Sequence, residues 1–277
     1  MSQEFSVSMC VYGGDDPAFF DAALGSVVGQ TVPPSEIVLT VDGPVPPDTE
    51  GVIGKYRARL AGSGISFQVV RLEANMGHGE ARRICFDHCS YDLIALMDAD
   101  DLSVPDRFEK QLAVFAGDPS LSAVGGNIRE FIGTPEICVG RRTVPETDAD
   151  IKRYMRRRCP MNQVSVMFRK ADVAEVGGYI DWFCEEDYYL WIRMALAGKR
   201  FANVPEDLVN VRVGDEMYRR RGGWRYFRSE AKLQGLMLEK GMIGLPRYGL
   251  NVAQRLALQV LMPNRLRGWV FRKFARS

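Results

Sequence analysis

The sequence predicts an α/β fold, a mostly parallel sheet flanked by helices, followed by a basic helical extension. Short apolar runs alternate with helix-length segments over the first ~110 residues, the order that βαβ units impose. Those runs are apolar throughout, as strands covered on both faces must be. The extension declares itself by charge. Residues 224–277 hold 11 Lys and Arg against 2 Asp and Glu, a net of +9, while residues 1–223 hold 25 against 33, a net of −8.

The elements follow in order. "FSVSMCVY" (5–12) alternates and then runs apolar, which predicts a strand. Asp16 suits an N-cap and Pro17 the first position of a helix reaching about Gln30. "EIVLTVDG" (36–43) is a second strand, and "PVPPD" breaks the chain before a helix over about 49–60. "ISFQVVRL" (65–72) is a third strand, and "NMGHGEARRICFDHC" (75–89) is a glycine-rich turn entering a helix. "DLIALMD" (92–98) is a fourth strand, with a helix after Pro105 to about Ala116. Beyond it, "SAVGGNIREF", "QVSVMFRK" and "FANVPEDLVNVRV" read as strands. Residues 141–158 read as a polar loop. "ADVAEVGGYI" is a short helix with a glycine turn, and "CEEDYYLWIRMALAGKRF" is an amphipathic helix whose opening acids suit the helix dipole. Helical segments broken at Gly241, Gly244 and Pro246 complete the chain.

Composition excludes more than it identifies. The 277 residues suit one large domain with an appendage; hydrophobic content of 46% and charged content of 26% are ordinary. A net charge of +1, with an acidic body, gives no argument for nucleic acid. The opening "MSQEFSVSMC" has neither a basic leader nor a long apolar run, which predicts a cytoplasmic protein. Six irregularly spaced cysteines read as reduced, buried thiols. Cys85, His88 and Cys89 fall within one turn and could hold a metal, but Cys85 and Cys89 at i, i+4 also describe a packed helix face, and no second ligand pair stands at zinc-finger spacing. The packed face is the reading preferred.

Ligands of parallel sheets bind at the carboxyl ends of the strands. Tyr12, Asp42, Asn75 and the cluster Asp98, Asp100, Asp101 fall there. Alternation sends Asp98 and Asp100 to the same side. The cluster is either a solvated turn or a place for a hard divalent cation, Mg²⁺ or Mn²⁺, shared with a diphosphate. No P-loop and no G-x-G-x-x-G follows the first strand, and "GGDD" puts acids where a dinucleotide site needs bare amides. Glu185, Glu186 and Asp187 open a helix; they serve as dipole-favoured capping charges, and one of them suits a general base. Trp182 nearby could face a sugar ring.

Three stretches, "VSMCVYGGDDPAFFDAALGSVVGQTVPPSEIVLTVDG", "ANMGHGEARRICFDHCSYDLIALMDADDLSVPDRFEKQ" and "NQVSVMFRKADVAEVGGYIDWFCEEDYYLWIRMALAGKRFANVPEDLV", resemble the inverting glycosyltransferases of family two, of GT-A fold. They cover most of residues 5–212, and within the family they look like the enzymes of bacterial exopolysaccharide, capsule and O-antigen assembly. The resemblance implies a catalytic domain over 1–215, its nucleotide-sugar half at 1–110 and acceptor half at 111–215, with 216–277 as the extension. It implies donor contacts from Tyr12, Asp42, Arg82, Asp98 and Asp100. Asp98 and Asp100 form the D-x-D that holds Mn²⁺ or Mg²⁺, and Asp187 is the base with Glu186 beside it. Gly178 and Tyr179 border the acceptor, joined by Trp182. The implied partners are a nucleotide-sugar donor, UDP-linked, and a glycan or lipid-linked glycan acceptor. Two departures stand out. Arg83 replaces the asparagine of the family's "ARN", and the only histidines, His78 and His88, come early, so a third protein ligand to a metal is unassigned. A nucleotidyltransferase and a non-catalytic glycan-binding scaffold are the competing readings. The basic, aromatic-rich stretches 219–227 and 263–277 read either as surface helices with snorkelling arginines or as an interfacial anchor on an anionic membrane; Arg219, Arg220 and Arg221 could instead close on the diphosphate.

Overall fold

The computed structural model describes residues 4–180, 182–214 and 223–262. The stretches 219–221 and 263–277 considered above lie outside these residues. Four strands, β1 (Phe5–Tyr12), β2 (Glu36–Asp42), β3 (Ser66–Arg71) and β4 (Leu93–Met97), pair in parallel in the order β3-β2-β1-β4. Helices α1 (Pro17–Val28), α2 (Pro47–Leu60) and α3 (His78–His88) connect them. The second half adds β5 (Leu102–Ser103), α4 (Arg107–Gly117), β6 (Leu121–Phe131), β7 (Cys138–Arg142), α5 (Asp148–Met155), β8 (Met167–Arg169), α6 (Lys170–Glu175), α7 (Glu186–Leu196) and β9 (Arg200–Arg212). The short β8 joins the halves, antiparallel to both β4 and β6, and β6 and β9 run parallel over a long register. The longest registers in the sheet are parallel, which is what the apolar runs predicted.

Pleat alternation sorts the core into two layers. On β1, Phe5, Val7, Met9 and Val11 face one way, with Leu93, Ala95 and Met97 of β4, against α1, α2 and α4. Ile94 and Leu96 face the other way, with Cys85 of α3 and Tyr188, Trp191 and Ile192 of α7. Asp98 follows Met97 and therefore emerges on the α3–α7 side. Cys85 and Cys89 are buried in that second layer, the Cys85 thiol facing the Met9 and Val38 carbonyls, which is the packed helix face. No disulfide joins the six cysteines, but Cys138 and Cys184 are exposed, against the expectation of burial.

Two segments differ from expectation. The stretch read as a loop contains α5. Thr147 caps it, its hydroxyl accepting from the Asp150 amide and donating to the Asp150 carboxylate, and Ile151 and Met155 form its buried stripe. Two apolar residues among many charges gave too weak a period to read. "QVSVMFRK" is strand only at β8, because residues 163–165 form a 3₁₀ turn. There the Ser165 hydroxyl bonds to the Asn162 and Gly126 carbonyls, a local alternative to ladder bonding. Beyond β9, α8 (Trp224–Glu239) and α9 (Leu245–Leu256) pack against each other, and Leu233, Met237 and Ile243 join the α7 layer.

At the carboxyl end of β1, Asp15 turns back to accept from the Tyr12 amide, and Asp16 caps α1 through the Ala18 and Phe19 amides. Burial, then the charges of Asp100 and Asp98 beyond the end of β4, raise Asp15 to about 6, the Tyr12 bond opposing them. The folded chain holds this proton more tightly than the unfolded one. The charge on Asp15 therefore opposes folding above about 6, and the cost fades as pH falls toward the ordinary value.

Two outcomes follow. Asp15→Asn keeps an acceptor for Tyr12 and removes the charge. It should melt above the parent chain at neutral pH, with the gap closing as pH drops through about 6. Thr147→Ala should cost about 1 kcal/mol in denaturant unfolding, the worth of one N-cap.

Candidate active site

The turn after β4 carries three acids with three different fates. Asp98 is half-buried and pairs with the Arg82 guanidinium from α3. Asp100 is exposed. Asp101, 3% exposed, accepts from the Arg212 amide at 2.8 Å at the end of β9. Burial, then Asp100 and Asp98, push the Asp101 carboxyl well above its usual range. The Arg212 side chain completes the clamp. It donates to the Asp100 and Gly133 carbonyls and lies 3.7 Å over the Phe19 ring.

Arg82 is 5% exposed, and its position is set from the turn before α3. Asp42, at the end of β2, accepts from the Met76 and Gly77 amides at 2.6 and 3.1 Å. Gly77 adopts φ +88 there, a conformation that suits glycine. The helix that starts on this turn presents Arg82, whose Nε donates to His78. Burial works against the Arg82 charge, but Asp98, Tyr179, Cys10 and Glu186 together outweigh it and hold its pKa above the ordinary value.

The opposite wall is the first turn of α7. Asp187 Oδ1 accepts from the Tyr188 amide at 2.7 Å, and the Cys159 thiol lies 3.8 Å from Oδ2. Burial first, then the Asp187 charge, raise that thiol. Glu185, just before α7, is 5% exposed and accepts from the Tyr226 hydroxyl of α8. Burial, then Glu230 and Asp187, hold Glu185 well above the usual carboxyl range. The preceding residue, Cys184, sits at φ 57, a strained backbone for a non-glycine. A cleft of about 730 Å³ lies between the walls, lined by Asp98, Asp100 and Asp101 on one side and by Asp187 and Arg142 on the other.

Asp98, Asp100 and Asp187 thus share one cavity. Arg82 stands behind Asp98, Glu186 adds charge beside Arg82, and Tyr12 lies 46% exposed at the end of β1. Asp42 holds a loop, and a base N–H would share its oxygens with two backbone amides. Gly178, Tyr179 and Trp182 stand apart from the cleft lining. The Gly178 carbonyl accepts from Arg193, and Tyr179 is 4% exposed among Phe86 and Phe168. Trp182 stacks on Tyr189, lies under Lys232 and donates to the Ser229 carbonyl. Sequence reasoning missed Asp15, Arg142 and Arg212. "GGDD" carried a signal for Asp15, but nothing local marks an arginine at the end of β9.

The donor set suits a hard cation: carboxylate oxygens, of which Asp15 and Asp101 are raised first by burial and then by the neighbouring acids. Among the described residues no three Asp, Glu, His or Cys side chains converge into a cage of their own.

Comparison with known proteins identifies the family. The model of glycosyl transferase family 2 matches residues 6–173, and that of glycosyl transferase family group 2 matches 93–261. The chain is 37% identical to an uncharacterized glycosyltransferase of Haemophilus influenzae, over 99% of this chain and 100% of that one. It is 33% identical to the amylovoran biosynthesis glycosyltransferase AmsE of Erwinia amylovora, over 97% and 98%. It is 31% identical to the UDP-Gal:alpha-D-GlcNAc-diphosphoundecaprenol beta-1,3-galactosyltransferase of Escherichia coli, over 99% and 97%. Among solved structures, S. aureus TarS 1–349 in complex with UDP-GlcNAc superposes with a TM-score of 0.67 at 16% identity, over 92% of this chain and 73% of that one, and shares its GT-A fold. The protein belongs to glycosyl transferase family 2, and it is a glycosyltransferase.

Proposed function

We propose that the enzyme moves a sugar from a UDP-sugar to a hydroxyl of a glycan or lipid-linked glycan during assembly of a bacterial surface polysaccharide, inverting the anomeric centre. One observation carries the reading: the acids after β4 and the carboxylate of Asp187 face one another across a single cleft at the strand ends. The relatives point the same way, since one is named for amylovoran biosynthesis and another for transfer from UDP-Gal to a GlcNAc-diphosphoundecaprenol.

Asp98 and Asp100 would hold Mn²⁺ or Mg²⁺ against the donor diphosphate, and the ion would neutralise the negative charge of that leaving group. The chain supplies the rest. Arg82 fixes the orientation of Asp98. Asp187 takes the proton of the acceptor hydroxyl, whose oxygen bonds to the anomeric carbon as the bond to the diphosphate breaks on the opposite face. One displacement inverts the centre with no covalent enzyme intermediate. The Tyr188 amide holds Oδ1 of Asp187, and the Cys159 thiol lies 3.8 Å from Oδ2.

Asp187→Asn should lower turnover by roughly 10²- to 10⁴-fold, the worth of a positioned base, while UDP still binds with Mn²⁺ in a thermal-shift titration. Undiminished transfer would remove Asp187 from the role. Asp100→Ala should abolish stimulation by Mn²⁺. Asp101→Ala should instead act on stability, because it strips the Arg212 amide of its buried acceptor; about 1–3 kcal/mol in denaturant unfolding is the scale for such a loss.

A further inference from the structure

Helix α9 is built inside out. Its buried stripe is polar: Asn251, Arg255 and, in the π-turn that continues it (257–261), Gln259. The wider π winding keeps these i, i+4, i+8 positions in line. Leu245, Leu250 and Leu261 are 71%, 48% and 71% exposed, with Ala253 and Ala257 also turned outward. An ordinary surface helix does the reverse.

The inward face has a clear reason to be polar, because it closes the end of another helix. Asn251 donates to the Arg156 carbonyl at 2.9 Å, and Arg255 donates to the Arg157 carbonyl at 2.8 Å. These carbonyls follow the last turn of α5, where orphan acceptors and the negative end of the dipole call for donors and a cation. Asn251 also donates to Gln234, and Arg255 and Gln259 converge on Glu230, both partners in α8. These bonds account for the polar character of the stripe, and none of them requires apolar residues on the outer face.

The outer face has no partner within the described chain, and the charge around it selects one. Trp224 is 58% exposed, and the Gly223 amide bonds to the Gln259 carbonyl, which sets Trp224 beside the Leu261 end. Arg225, Arg228 and Lys232 are exposed on α8, and Arg247 is half-buried on α9. Of the two acids in residues 224–277, Glu230 is buried and Glu239 is paired with Lys240. The 15 residues after Met262 add five cations and no acid. No helix among the described residues is long and apolar enough to cross a membrane. We propose that the outer face of α9 and the start of α8 form an interfacial docking surface for an anionic lipid bilayer, the leucines entering the headgroup–acyl boundary and the arginines facing the lipid phosphates. The inference stands apart from the proposed reaction, since lipid docking needs neither donor nor acceptor. It also gives that reaction a direction, because α8 bonds directly to the turn carrying the proposed base, through Tyr226–Glu185 and Ser229–Phe183.

The test is co-sedimentation of the full chain with phosphatidylethanolamine–phosphatidylglycerol vesicles, beside phosphatidylcholine vesicles. The parent chain should pellet with the anionic vesicles, and added salt should release it. Leu250→Glu and Leu261→Glu should each weaken binding about tenfold or more, the scale of one leucine left in water, with an unchanged melting temperature. No binding by the parent chain, or variants that bind as it does, would overturn the proposal. So would a fall in the variants' melting temperature, which would mean that the chain itself covers the face, or a parent dimer that the variants dissociate. Hydrolysis of UDP-sugars, measured in parallel without lipid, reports separately on the proposed reaction and should not change in the variants.

Discussion

The protein is organised around a charge balance at the end of β4. Asp98, Asp100 and Asp101 sit within four residues of one another, and Asp15 faces them from β1. Such a group stays together because arginines surround it. Arg82 pairs with Asp98 from the α3 side, and Arg212 bonds the turn from β9. Arg107 lies beneath, fully buried, donating to the Leu96 carbonyl and to Gln111. Burial lowers Arg107 to about 9, with Asp98 and Asp101 opposing the shift. Of the three carboxylates in this turn, Asp100 is the exposed one.

That balance explains why residues remote from the cleft matter to it. Asp42 contributes by ordering two amides ahead of α3, which aims Arg82, which in turn orients Asp98. On the other wall, α8 steadies the turn before Asp187 through the side chains of Tyr226 and Ser229. Each wall is therefore positioned by a relay from outside the cavity, and substitutions in either relay act on geometry before they act on chemistry.

The sequence shows the parts that are local. Apolar strands with turn residues at their ends made β1 to β4 legible, and with them the Asp98–Asp100 pair. An amphipathic helix opening on acids marked Glu185, Glu186 and Asp187 together, and only the family resemblance singled out Asp187. What stayed hidden depends on partners distant in the chain. Arg212 matters because Asp101 and Phe19 meet it in space, 111 and 193 positions away. The short β5 and β7 exist only as companions to β9 and β6. Periodicity alone would turn the leucines of α9 inward; its polar stripe makes sense only once the end of α5 is seen beneath it. Tyr179 and Trp182 are adjacent to a motif in sequence, but neither is among the residues that line the cleft.

The bond from the Arg212 amide to Asp101 also bears on the order of events during synthesis. The four N-terminal strands can pair before β9 leaves the ribosome, because all of them precede it in the chain. The acid turn cannot settle then, for its clamp is still unmade. Until β9 emerges and lies beside β6, the carboxylates after β4 lack Arg212. A nascent chain thus carries a formed sheet and an unformed site, and a chain halted before residue 212 would hold an electronegative, incompletely buried turn, a feature a chaperone could recognise.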